Sequence, residues 1–105
     1  MNMRIAMGLA ENAGRESTIV ALGAAKLIAI YDPTKDVLEV LPREDCGDCL
    51  SAVNSLEIDA LYQPVPKICS AIREKAEGRG IKLMTGVCNN VRMLIENLCE
   101  LRELE

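Results

Sequence analysis

The chain contains no histidine, phenylalanine or tryptophan, and Tyr31 and Tyr62 are its only aromatic residues. Without histidine it lacks the commonest general base, the usual nitrogen ligand of zinc, and every Ser-His or Cys-His nucleophile arrangement. Without the large aromatics, the core must be built from Leu, Ile, Val, Ala and Met, which suits close packing of helices on a sheet. Two tyrosines make a poor stacking platform for bases. A formal charge of -4 with scattered basic residues makes a poor footprint for phosphate backbones, so nucleic acid is not an expected partner. No apolar run suffices for a membrane span, since the longest, residues 19–31, is short and carries Lys26. The opening MNMRIAMGLAEN lacks the apolar centre of a signal peptide, so the expectation is a soluble, cytoplasmic protein without a membrane partner.

Phosphate cradles are missing too: neither GxGxxG nor GxxxxGK[ST] follows the first apolar segment. A two-metal nuclease would need inward carboxylates on the first and fourth strands. The first expected strand has none, and on the fourth Asp59 stands alone.

What is present reads as a single domain over residues 1–105, half of it apolar. Residues 3–9 (MRIAMGL) read as a first strand that exits into the polar loop AENAGRES. Residues 24–31 (AAKLIAIY) and 36–41 (DVLEVL) read as two strands joined by the turn Asp32-Pro33-Thr34-Lys35. A helix opening at Asp45 would place Cys46, Cys49, Leu50 and Val53 on one face. Residues 58–63 (IDALYQ) form the fourth expected strand, and Val65, Ile68, Cys69, Ile72 and Ala76 line a second helix ended by Gly78 and Gly80. Residues 81–84 (IKLM) form the fifth strand. Val91, Leu94, Ile95, Leu98 and Leu101 line a third helix, capped by Asn89 or Asn90. The expected fold class is α/β, a three-layer domain. Its five-stranded mixed sheet has the order 3-2-1-4-5 with strand 2 antiparallel, and three helices cover it.

Five cysteines, an odd number without a dense secreted pattern, point to reduced thiols. The pair Cys46 and Cys49, in CGDC, admits three readings: a redox dithiol, half of a metal site, or two small residues at a helix start. Glu44, Asp45 and Asp48 crowd the pair and disfavour the thiolate that redox catalysis requires. A soft cation offsets thiolate charge, and CxxC supplies two ligands from one turn. A further ligand would be Cys88, in the loop leaving the fifth strand, because Cys69 and Cys99 fall on or beside apolar stripes. Cys88 is therefore the expected accessible thiol, and Cys69 and Cys99 the protected ones. Loops at the carboxyl ends of parallel strands, those holding Cys88 and residues 10–18, are where such a pocket should lie. In the expected order the third and fifth strands are opposite edges, about 19 Å apart at four strand spacings, so convergence of Cys46, Cys49 and Cys88 requires the loops to reach inward.

MRIAMGLAENAGRESTIVALGAAKLIAIYD, together with LEIDALYQPVPKICSAIREKAEGRGIKLMTGVCNNVRMLIENL, resembles the dinitrogenase iron-molybdenum cofactor biosynthesis family. The resemblance rests on the opening strand and loop, on STIVALG at residues 17–23, on Tyr31-Asp32 and on the element from Gly80 to Gly86. It implies a ribonuclease-H-like fold and a small accessory or carrier protein that is not an enzyme. Such a protein would bind an iron-sulfur or iron-molybdenum-type cluster precursor and have cofactor-assembly proteins as partners. Many members carry His-Phe-Gly where this chain has Ala21-Leu22-Gly23, so a cluster here would depend on Cys46, Cys49 and Cys88. The alternatives are a cluster-free protein-interaction domain of the same fold and a CxxC thiol-disulfide protein.

Overall fold

The structure, a computed structural model, describes residues 4–21, 24–42, 58–64, 74 and 77–103. Its strands are β1 (Ile5–Leu9), β2 (Ile19–Val20), β3 (Leu27–Asp32), β4 (Val37–Pro42), β5 (Ala60–Gln63), β6 (Lys82–Thr85) and β7 (Arg102–Glu103). All seven form one sheet with the order β4-β3-β1-β5-β6-β7, and β2 pairs with β1 off this path. β1 runs parallel to β5, and β5 to β6; every other pairing is antiparallel.

These findings correct the expected five strands with three helices. The sheet has seven strands, and Val91–Glu96 is the one α-helix assigned end to end among the described residues. The helices expected from Asp45 and over residues 65–76 lie outside the described residues, apart from Glu74, which is helical, as are Glu77 and Gly78 beyond them. β2 and β7 escaped notice because two residues carry no alternation to read; each exists because a neighbouring strand offers a free edge.

The third helix is also shorter than its apolar stripe suggested. Asn90 caps it as expected, its side chain accepting the Met93 N–H at 2.9 Å. It stops at Asn97, whose side-chain amide donates to the Met93 carbonyl at 2.7 Å while its N–H is shared between the Met93 and Leu94 carbonyls. That competition tightens the chain into the 3-10 turn Leu98–Glu100 and releases it into β7.

Alternation sorts the sheet into two faces. Ile5, Met7, Leu9, Ala29, Tyr31, Ala60 and Tyr62 share one, where Val91 and Leu94 of the helix and Cys88 complete the core. Ala6, Ile28, Ile30, Leu61 and Leu83 lie on the other and are buried as well. A central strand buried on both faces reads as an unbroken apolar run, which is the form of β1. The β3–β4 turn is fastened by Asp32, whose carboxylate accepts the Thr34 N–H at 3.0 Å, and it closes with Asp36 at a φ of 52°, a left-handed conformation that aspartate tolerates.

Candidate functional site

In an open sheet of this kind, ligands are bound where the chain leaves the carboxyl ends of parallel strands, at the point where the connections diverge. Here that point lies between β1, whose connection runs toward β3 and β4, and β5, whose connection runs toward β6. β3 occupies one edge of β1 along its whole length, so β5 and β2 must share the other, β5 at Ile5 and Ala6 and β2 at Gly8 and Leu9. β2 therefore fills the crevice beyond the paired part of β5. A Cβ on Gly8 would stand 2.7 Å from the Ala25 Cβ and 2.9 Å from the Val20 carbonyl oxygen, so only glycine admits this closeness.

Two loops are stitched together above that plug. Residues 10–18 fold back through Ala10 N–H to the Thr18 carbonyl at 3.0 Å and Thr18 N–H to the Glu11 carboxylate at 2.5 Å. Inside the loop, the fully buried Ser17 hydroxyl accepts the Ala13 N–H and donates to the Gly14 carbonyl, both at 2.7 Å. The loop joins the segment after β6 through Ile19 N–H to the Asn89 carbonyl at 2.9 Å and Val91 N–H to the Ser17 carbonyl at 3.2 Å. Arg92 adds an ion pair to Glu16. Arg15 reaches away from that end to the β3–β4 turn, where it bonds the Asp36 carboxylate at 2.9 Å, and the Tyr31 hydroxyl donates to the same oxygen at 2.7 Å. Those two hydrogen bonds, Tyr31 first and then Arg15, hold the Asp36 carboxyl below the usual range. The end of the sheet where the pocket was expected is thus a cross-braced pair of loops.

Cys88 lies in the second of these loops, between β6 and the helix. The Tyr62 hydroxyl accepts the Cys88 N–H at 3.0 Å and donates to the Cys88 carbonyl at 3.2 Å, so one side chain satisfies both main-chain groups. Burial pushes that hydroxyl up to about 12. Cys88 itself is 3% exposed and belongs to the core, which corrects the expectation of an accessible loop thiol. Burial raises its pKa; the Tyr62 hydroxyl opposes this, and the charge of Glu100 adds to it. A metal-ligating cysteine must reach the ion, and in this placement the Cys88 thiol is enclosed in the core. As it stands, the Cys88 thiol does not fit a cluster.

Cys46, Cys49 and Cys69 lie outside the described residues, as does the side chain of Cys99. Among the described residues no three Cys, Asp or Glu side chains gather as a metal site. Sequence reading missed Tyr62 and Ser17. Tyr62 could have been singled out as one of only two aromatics, on a strand whose neighbours are all buried. At the other end of the sheet, Arg4, Asp32, Lys35 and Glu39, with charges of both signs, line a depression together with Ile30 and Val37.

No protein family and no curated protein matches the chain by sequence. Solved structures do match in shape. The apo form of the orange protein from Desulfovibrio gigas superposes with a TM-score of 0.78 at 13% identity, over 98% of this chain and 93% of that one. The fold is shared with the orange protein. A NifB-like protein from Thermotoga, a member of the DUF35 family solved by NMR, gives 0.75 at 20% identity over 97% and 93%. The crystal structure of PH0822 gives 0.76 at 17% identity over 96% of each chain. At such identities the likeness is one of fold. No helix among the described residues is long and apolar enough to cross a membrane.

Proposed function

We propose that this chain is a small binding module, a carrier or accessory protein rather than an enzyme, whose cargo is an iron-sulfur or iron-molybdenum-type cluster precursor. The observation that carries this reading is the fold shared over nearly the whole chain with the orange protein, solved in an apo form, and with a NifB-like protein. It agrees with the resemblance of residues 3–32 and 56–98 to the dinitrogenase iron-molybdenum cofactor biosynthesis family, which would make cofactor-assembly proteins its partners in the cytoplasm. With no histidine in the chain, soft ligands can come only from sulfur, and CGDC offers Cys46 and Cys49 within one turn. Cys88 would join them only in another placement of its loop.

Anaerobic reconstitution with iron and sulfide tests the reading. The expected product is a chromophore with broad visible absorbance and bound iron, both lost in the Cys46→Ala and Cys49→Ala variants. Iron that stays near zero in the unaltered protein, or persists without both CGDC thiols, refutes cysteine ligation by this pair. The second reading, a cluster-free interaction domain of the same fold, is favoured by the burial of Cys88, and zero iron would select it.

A further inference from the structure

The turn between β6 and the Val91–Glu96 helix is inside out. Val87, the apolar residue, is 83% exposed, and Cys88, the residue with metal-binding chemistry, is 3% exposed. Anchors flank the turn on both sides: Thr85 ends β6, its hydroxyl donating to the Gln63 carbonyl at 2.9 Å, and the Asn89 carbonyl accepts from Ile19. Between them, the bonds to Cys88 come from Tyr62. Tyr62 lies at a strand position set by the sheet, fully buried, and cannot follow the turn if it moves. The contact of Gly86 with this ring and with Leu101 leaves little slack: an added Cβ would stand 3.2 Å from the Leu101 side chain and 3.6 Å from the ring.

The geometry points to Tyr62 as a positioning residue that holds residues 86–88 in a thiol-in state, opposed by a thiol-out state in which Val87 and Cys88 exchange places. The exchange substitutes an apolar side chain for a thiol in the core and brings the thiol to the surface. Burial of valine favours it and loss of the two Tyr62 hydrogen bonds opposes it. A soft cation binds only the outward thiol and so draws the population outward by its differential affinity. This inference rests on the reading of Cys88 as a ligand only in that last step; the two-state turn stands without it.

The test follows alkylation of Cys88 by iodoacetamide in metal-free native protein, read by peptide mapping. Tyr62→Phe is expected to accelerate it about ten-fold or more through loss of the latch. Val87→Lys leaves an exposed position exposed but places an ammonium where the outward state needs an apolar side chain. It should therefore slow alkylation in the parent and cancel most of the gain in the Tyr62→Phe protein. Leu94→Ala, which weakens the same core without touching the latch, should not reproduce a gain that Val87→Lys cancels. Unchanged alkylation in Tyr62→Phe, or acceleration indifferent to Val87→Lys, overturns the exchange. If Tyr62→Phe does not fold, Val87→Lys in the parent decides alone: slower alkylation supports the exchange and an unchanged rate overturns it. Cadmium ion separates the two readings. Stronger protection of Cys88 by cadmium in Tyr62→Phe than in the parent supports both, whereas an intact alkylation pattern without cadmium protection keeps the exchange and removes Cys88 as a ligand.

Discussion

Gly8→Ala is the sharpest perturbation of the plugged crevice. The new methyl would meet the Ala25 Cβ at 2.7 Å and the Val20 carbonyl oxygen at 2.9 Å, and neither atom can yield by rotating a side chain. Overpacking a rigid site costs about 1–3 kcal/mol, and two unyielding contacts put this one near the top of that range. The lower entropy of an alanine-bearing unfolded chain returns about 0.4–1 kcal/mol, leaving a net loss of about 2 kcal/mol. At about 4–8 °C per kcal/mol for a domain of this size, the thermal midpoint should fall by about 8–16 °C. Because Val20 belongs to β2, relief should come from displacement of β2, which would also loosen the Ile19 bond to Asn89 and speed hydrogen exchange at Ile19. Ala25→Gly added to Gly8→Ala removes one of the two clashes and should recover about 1 kcal/mol as a favourable coupling in a double-mutant cycle. Gly78→Ala is the control: Gly78 is helical with nothing within 4 Å of its would-be Cβ, so no loss is expected there. Urea and calorimetric titrations of the variants suffice. A Gly8→Ala change below about 0.5 kcal/mol, or a cycle without coupling, would refute the tight apposition of β1, β2 and Ala25.

Two further outcomes are expected. The Tyr62 hydroxyl titrates near 10 in an unfolded chain but about 12 in the fold, so its contribution is complete below about pH 10 and fades as pH rises toward 12. Urea midpoints should accordingly fall more steeply between about pH 10 and 11.5 in the parent than in Tyr62→Phe, and parallel slopes would contradict a buried hydroxyl. Asn90→Ala should lose about 1 kcal/mol with the cap on Met93, and Asn90→Asp should keep most of it; equal losses in denaturant titrations would argue against side-chain capping.

Particular residues show how far sequence reading reaches. The run MRIAMGL announces a strand, and its burial on both faces from Ile5 to Leu9 came only with the structure. Asp32 and Pro33 announce the β3–β4 turn, and Asn90 the start of a helix, because turns and caps are chosen by local chemistry that neighbours in sequence supply. The lack of histidine limits soft donors to sulfur whatever the fold. None of this reaches β2 or β7, two residues each, which form by borrowing the edges of β1 and β6. Nor does it reach the early stop at Asn97, where a side-chain amide competes with the apolar stripe that continues to Leu101. The direction of Cys88 is the clearest case. Its place in a loop follows from sequence, but its burial is set by a hydroxyl 26 residues away, brought beneath it by the β5–β6 register. Local preferences act between neighbours and can be read along the chain, whereas edges, plugs and buried hydroxyls act between residues that meet only once the sheet has formed.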